Sequence, residues 1–244
     1  MLFSTKRRTI SGICENGYDE RGFAVNKEWS ELNKTMQAQL RKKDTYKAGL
    51  ETLFALRGQL MDTILSFRDT LTPADFSSIP FINADGYHSK TVAYSLWHIF
   101  RIEDIVAHTL INGDEQVFFR GGYQQRMNAP IVTTGNELKK QQIADFSAKL
   151  NLDELYAYLS EVKESTESIL RDLSFEDLKR KISDERKAAL EALHVVSEDE
   201  NAVWLINYWC GKDVRGLIQM PLSRHWIMHI EASMKIRDKI RAGK

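Results

Sequence analysis

The sequence predicts an all-α fold, an up-and-down four-helix bundle with long crossover connections. Three observations carry that prediction. Apolar residues recur at intervals of three and four through several long stretches, as they do along the buried stripe of a helix. Helix-starting and helix-stopping residues bracket those stretches. No two alternating apolar runs meet at a hairpin turn and no internal repeat is visible. Four long helices with shorter ones between them therefore fit a bundle, with room for strands only in the first 25 residues or around 114–133.

Residues 1 to about 25 hold Gly12, Gly17 and Gly22 with little periodicity and read as an irregular arm. From Asn26, the spacing of Trp29, Leu32, Met36 and Leu40 predicts a short amphipathic helix. This divides the chain into an N-terminal arm and helix, 1–44, and a bundle domain, 45–244. The first bundle helix begins near Asp44, carries Leu50, Leu53, Phe54, Leu60, Met61, Ile64, Leu65 and Phe67, and ends at Thr72-Pro73. After a loop, Ser89 is the expected N-cap of a second helix, Lys90 to Asn112. That helix is apolar nearly all round, as one enclosed by neighbours should be, and Gly113 closes it.

Residues 114 to about 134 read as a long connection, either lying over a site or serving as a plain crossover. Thr134 and Glu137 have capping-box spacing and are expected to open a short helix to about Leu150. Asn151 caps the third main helix, marked by Leu152, Leu155, Leu159, Val162, Ile169 and Leu170. The charged run 183–200 places His194 at the surface, and Ser197 with Glu200 precedes a short segment around Trp204 and Tyr208. Asp213 starts the last long helix, which Pro221 should kink about one turn before His225.

Composition excludes several functions. Of 244 residues, 43% are hydrophobic and 28% charged, the balance of an ordinary soluble globular chain. Lysine plus arginine equals aspartate plus glutamate, 34 each, so the positive excess that meets phosphates is missing and nucleic acid is not an expected partner. No apolar run is long enough to span a bilayer, and Met1–Lys6 does not look like a secretory leader. Two distant cysteines, Cys14 and Cys210, suit a reducing cytoplasm and read as bystanders.

The informative stretch is Arg224-His225-Trp226-Ile227-Met228-His229-Ile230-Glu231. His225 and His229, four apart, share a helix face. Steps of three and four from Ile218 through Leu222 reach both histidines and continue to Ala232 and Ile236, so both imidazoles occupy the inward seam. A buried polar group without a partner costs about 1–3 kcal/mol. Two remedies exist: a hydrogen bond to another helix, or a shared metal ion that takes neutral imidazole nitrogens. His98, in the middle of the second bundle helix and in register with Tyr94, Ile102 and Ile105, supplies a third imidazole. Three protein ligands with an open position point to chemistry, whereas four would point to a structural site.

Other site classes are absent. Trp226 stands where a zincin needs glutamate, the Glu-x-x-His pairs of a di-iron bundle are missing, and no P-loop, GxGxxG or GxSxG occurs. His108 lies about 80° round its helix from His98, and His88 sits in a loop where it serves only as a substitute ligand. Glu103 and Glu231 are candidates to hydrogen-bond a ligand's second nitrogen. Tyr94, one turn before His98, and Tyr123, in the long connection, are pocket candidates.

The order of SLWHIFRIED and then RHWIMHIEAS resembles the DinB-like superfamily of four-helix bundles, over roughly residues 45 to 241. The resemblance implies that His98, His225 and His229 are three ligands of a divalent metal (zinc, nickel or iron) and that the chain forms homodimers. It also implies a metal-dependent transferase or hydrolase acting on a small molecule, most closely an S-transferase that uses a low-molecular-weight thiol such as bacillithiol, mycothiol or glutathione. The metal would lower the pKa of that thiol. The family name implies stress induction as well, and a further alternative is a non-catalytic stress or binding protein whose histidines only stabilise the core. The His-x-x-x-His-x-Glu form is also similar to the iron-binding domain of ergothioneine-type sulfoxide synthases, whose second catalytic domain has no room here. Residues 1–44 and 183–212 have no counterpart in the resemblance.

Overall fold

Five long helices organise the described residues: four hide one apolar stripe on their neighbours, and the one from Val92 to Asp104 is buried on every side. The structure, a computed structural model, describes residues 20–243, with side chains from Asn26 onward. The arm expected over residues 1 to about 25 lies outside the described residues as far as residue 19, and so does Cys14. α1 runs Glu20–Gln39, several residues earlier than the expected start at Asn26. Trp29, Met36 and Leu40 are fully buried on its inner face, against α2 (Tyr46–Thr70). Gly49 of α2 lets the two helices approach at their joint: a Cβ there would stand 2.9 Å from Leu40 Cδ2.

α3 spans Val92–Asp104 and continues as a wide π-helical stretch, Ile105–Asn112. Thr91, not Ser89, is its N-cap, with its hydroxyl accepting the Tyr94 N–H at 3.0 Å. Gly113, at φ +78°, closes the stretch with its N–H on the His108 carbonyl. α4 is Leu152–Asp172, and the Asn151 side chain caps the Asp153 and Glu154 amides. α5 is His225–Ala242. α3 packs on α4 and α5, and α2 packs on α4 and α5 as well, so the core lies between these four.

The connections are long and partly helical. Between α3 and α4, short helices Val117–Arg120 and Tyr123–Arg126 occupy the stretch where strands had room to form. The capping pair Thr134 and Glu137 opens no helix; the next one is Gln141–Ser147. Between α4 and α5 the charged run hides a helix, Asp184–Ala192, capped by Ser183 and burying only Leu190. Trp204–Cys210 and Val214–Gln219 follow, the second capped by Asp213 at 2.7 Å. Among the described residues there is no strand, only an isolated bridge between Lys181 and Asp213. No helix among them is long and apolar enough to cross a membrane.

Two buried networks fix how the helices meet. Arg57 of α2 donates to both carboxylate oxygens of Glu103 (2.7 and 2.8 Å), to Glu167 of α4 (3.1 Å) and to the Leu222 carbonyl (3.1 Å). The indole N–H of Trp226 completes Glu103 at 2.8 Å. Asp104 accepts the amides of Val117 and Phe118 and the Tyr158 hydroxyl, which pins the α3–α4 connection. A buried ion set of this kind is stable only when every group is paired.

Candidate metal centre

Proline interrupts the last helix where the site needs it. Pro221 has no N–H to offer the preceding turn, and Met220–Arg224 forms a π turn in which the His225 N–H reaches Met220 O, five residues back. Ser223 returns a hydroxyl to the carbonyls of Ile218 and Gln219, each at 3.0 Å. Arg57 holds the Leu222 carbonyl of the same turn. Wide turns of this type recur at functional sites. Here the turn delivers His225 as the first residue of α5, with His229 one turn on.

His98, His225 and His229 converge. Ring centroids are 5.0 Å apart for His98–His225, 4.8 Å for His98–His229 and 4.6 Å for His225–His229. One nitrogen from each ring lies within 4.8 Å of the other two, a group that could hold a metal ion. All three residues are buried, His229 to 2% exposure. Both nitrogens of His229 and Nδ1 of His225 have no hydrogen-bond partner. A shared cation would satisfy buried imidazole nitrogens unpaired in this way. A shared ion about 2.0–2.1 Å from each nitrogen allows a spread of at most ~4.2 Å, so small ring rotations bring the donors into reach.

The surroundings keep the rings uncharged. Burial pushes His98 down to about 4, against the pull of its Thr134 hydrogen bond, and the Lys90 ammonium adds to the depression. Burial likewise holds His225 and His229 well below the ordinary histidine range, with the neighbouring imidazoles adding to it. Neutral imidazole is the form that binds a metal.

One face of α3 aims His98. Tyr94, His98 and Arg101 stand at i, i+4 and i+7 and grip three backbone carbonyls of one loop. The Tyr94 hydroxyl donates to Gly135 O at 3.0 Å, His98 Nδ1 meets Thr134 O at 2.7 Å, and Arg101 Nε donates to Val132 O at 2.9 Å. A carbonyl is only an acceptor, so His98 carries its proton on Nδ1 and Nε2 is left for a ligand. The Tyr94 ring also stacks on His98, 5.4 Å away and 11° from parallel. Gly135 makes the contact possible: its φ is +79°, and a Cβ would sit 3.0 Å from the Tyr94 ring.

A cavity of about 150 Å³ opens over the histidines. Tyr87, Trp204, Tyr208 and Trp209 give it aromatic walls; Ile102, Leu205, Met220 and Pro221 add apolar surface, and Asn136 is its remaining polar side chain. Tyr87 also meets the His229 ring edge-on at 4.7 Å. A larger surface depression near Tyr156 and Arg68 holds none of the three histidines.

The other site candidates fall elsewhere. Glu103 serves Arg57 and Trp226 and steadies the histidine-bearing helix from behind; it bonds to no histidine. Glu231 is half-buried beside Lys235 and Arg224, its carboxyl pushed up by burial. Tyr123 bonds Glu161 at 2.7 Å and does not line the cavity. His88 packs on Phe81, and His108 bonds Asp114 and Ser165. The residues missed in sequence are Thr134, Tyr87, Asn136 and the aromatic helix Trp204–Cys210. The density of aromatic residues in that helix was the available signal.

An all-helical protein with three buried, uncharged imidazoles facing a small aromatic cavity is the class that fold and site define. The family model of the DinB superfamily matches residues 69–201, over half of the sequence, and the chain belongs to that superfamily. The match includes His98 and stops short of His225 and His229, so the geometry alone joins the pair to it. No curated protein matches the sequence.

Proposed function

We propose that this chain is a metal-dependent enzyme acting on a small molecule, with His98, His225 and His229 as ligands of a divalent zinc, nickel or iron ion. The observation that supports it is the convergence of three buried imidazoles, two with unpaired nitrogens, under one cavity. A divalent cation there supplies positive charge that lowers the pKa of a coordinated thiol or water at neutral pH. The chain's own residues do the rest. Thr134 and Tyr94 fix the ring of His98, the π turn presents His225, and the aromatic walls exclude bulk water and orient the incoming molecule. The reaction we infer is transfer of a low-molecular-weight thiol onto a small electrophile.

One observation favours hydrolysis as a second reading. No lysine, arginine, aspartate or glutamate lines the cavity, so the carboxylates of a glutathione-type thiol have no charged partner there. Metal analysis of protein purified without chelator tests the site: one ion per chain is expected, and none, with no uptake on titration, would refute it. Turnover of epoxides or halogenated aromatics only when thiol is added supports transfer; turnover without thiol supports hydrolysis.

A further inference from the structure

The helix Trp204–Cys210 begins just beyond residue 201, where the match to the family model ends. Trp204 is 49% exposed and Tyr87 38%, at the mouth of a cavity whose floor is three buried histidines. The two exposed rings share one cavity lining and are not scattered singly over the surface. Trp204 is held in place nonetheless: its indole N–H donates to Asn201 O at 2.9 Å and its ring meets Tyr208 edge-on at 5.5 Å. Leu205, Trp209 and Met220 complete an apolar lobe beside the rings. A volume of about 150 Å³ accommodates one benzene-sized ring, and the whole cavity, histidine floor included, has that volume. Aromatic walls alone would also suit an organic cation. Here a dication at the histidines opposes one. A second charge on the ligand would find no charged side chain among the lining residues to pair with.

We propose that the cavity takes a small aromatic compound with a single metal-binding donor group and no second charge, its ring held by Trp204, Tyr208 and Tyr87. The proposal rests on the metal reading above and adds the substrate class to it.

The test uses the zinc-loaded full chain, with zinc content measured by mass spectrometry and binding by calorimetry. Acetate, benzoate and terephthalate share one donor group and differ in the ring and the second charge; tetramethylammonium probes the cation alternative. Benzoate is expected to bind about tenfold more tightly than acetate, and more tightly than terephthalate. Tetramethylammonium is expected not to bind. Trp204→Ala should reduce the benzoate preference about two- to tenfold, within the range of an aromatic contact, while zinc content and acetate affinity stay unchanged. Tyr208→Ala, a second partly exposed position, should act in the same direction and guards against a folding defect in the first variant. Equal binding of acetate and benzoate, tight binding of terephthalate or tetramethylammonium, or an undiminished ratio in both variants would overturn the proposal and leave the metal reading standing. Failure to take up zinc would overturn both.

Discussion

Replacing His229 by leucine should make the metal-free protein more stable and the metal-loaded protein less so. His229 is 2% exposed, with neither ring nitrogen bonded. Each buried polar group without a partner costs on the order of 1–3 kcal/mol. Leucine fills nearly the same space against Tyr87 and the other two histidines and carries no such penalty. For a chain of this size, 1 kcal/mol moves the melting temperature by about 2–4 °C, so the variant should melt several degrees higher in chelator. A metal present at a thousand times its dissociation constant stabilises the wild type by about 4.1 kcal/mol, more than the variant's advantage. With one ligand gone the variant should gain little, and the order of the two melting temperatures should reverse. Calorimetric melting of both proteins, in EDTA and with saturating zinc, reads the effect directly. A variant that melts lower in EDTA would show that His229 is a satisfied core residue. Equal gains from zinc in both proteins would place the ion elsewhere.

Acidification should weaken the metal-free chain within a defined window. The unfolded histidine binds a proton near 6.5, but His98 in the fold only at about 4, so stability is intact above 6.5 and falls as pH drops toward 4. The loss from His98 alone is about 3 kcal/mol. Urea midpoints at pH 7 and pH 4.5 measure it, and His98→Asn should show a shallower slope. Glu103→Gln should cost about 3–5 kcal/mol, because the buried Arg57 loses one of its two carboxylate partners; adding Arg57→Met should recover part of the loss in thermal melts. Gly135→Ala places a side chain at φ +79° and against the Tyr94 ring, costing about 1–3 kcal/mol. It should also lower zinc affinity through His98, and wild-type affinity in that variant would show that the loop does not orient the ring.

Much of this arrangement was legible in the amino-acid order. The apolar period of α2 and α4, the Asn151 and Asp213 caps and the break at Pro221 are local signals, and local physics decides them. The convergence of His98 with His225 and His229 was legible for a related reason: all three stand at seam positions, and seams of a bundle face one another. The helix Asp184–Ala192 was hidden because it buries only Leu190, leaving almost no apolar period to read. The role of Glu103 depends on Arg57 and Trp226, partners 46 and 123 residues away, which no window of sequence connects. Tyr123 has the same difficulty, since only the packed chain shows that its hydroxyl turns to Glu161. The π turns follow from tertiary demands on carbonyls and carry no local signature beyond the proline.

The three grips of α3 on the loop 132–135 fall on main-chain oxygens, a group that every amino acid supplies. Substitution of Val132 or Thr134 therefore leaves the acceptor in place, and the tautomer of His98 survives drift in the loop's side chains. Tolerance ends at Gly135, the position where the backbone's path depends on the residue having no side chain at all. The histidine cluster is in this way buffered against most changes in its supporting loop and exposed to one.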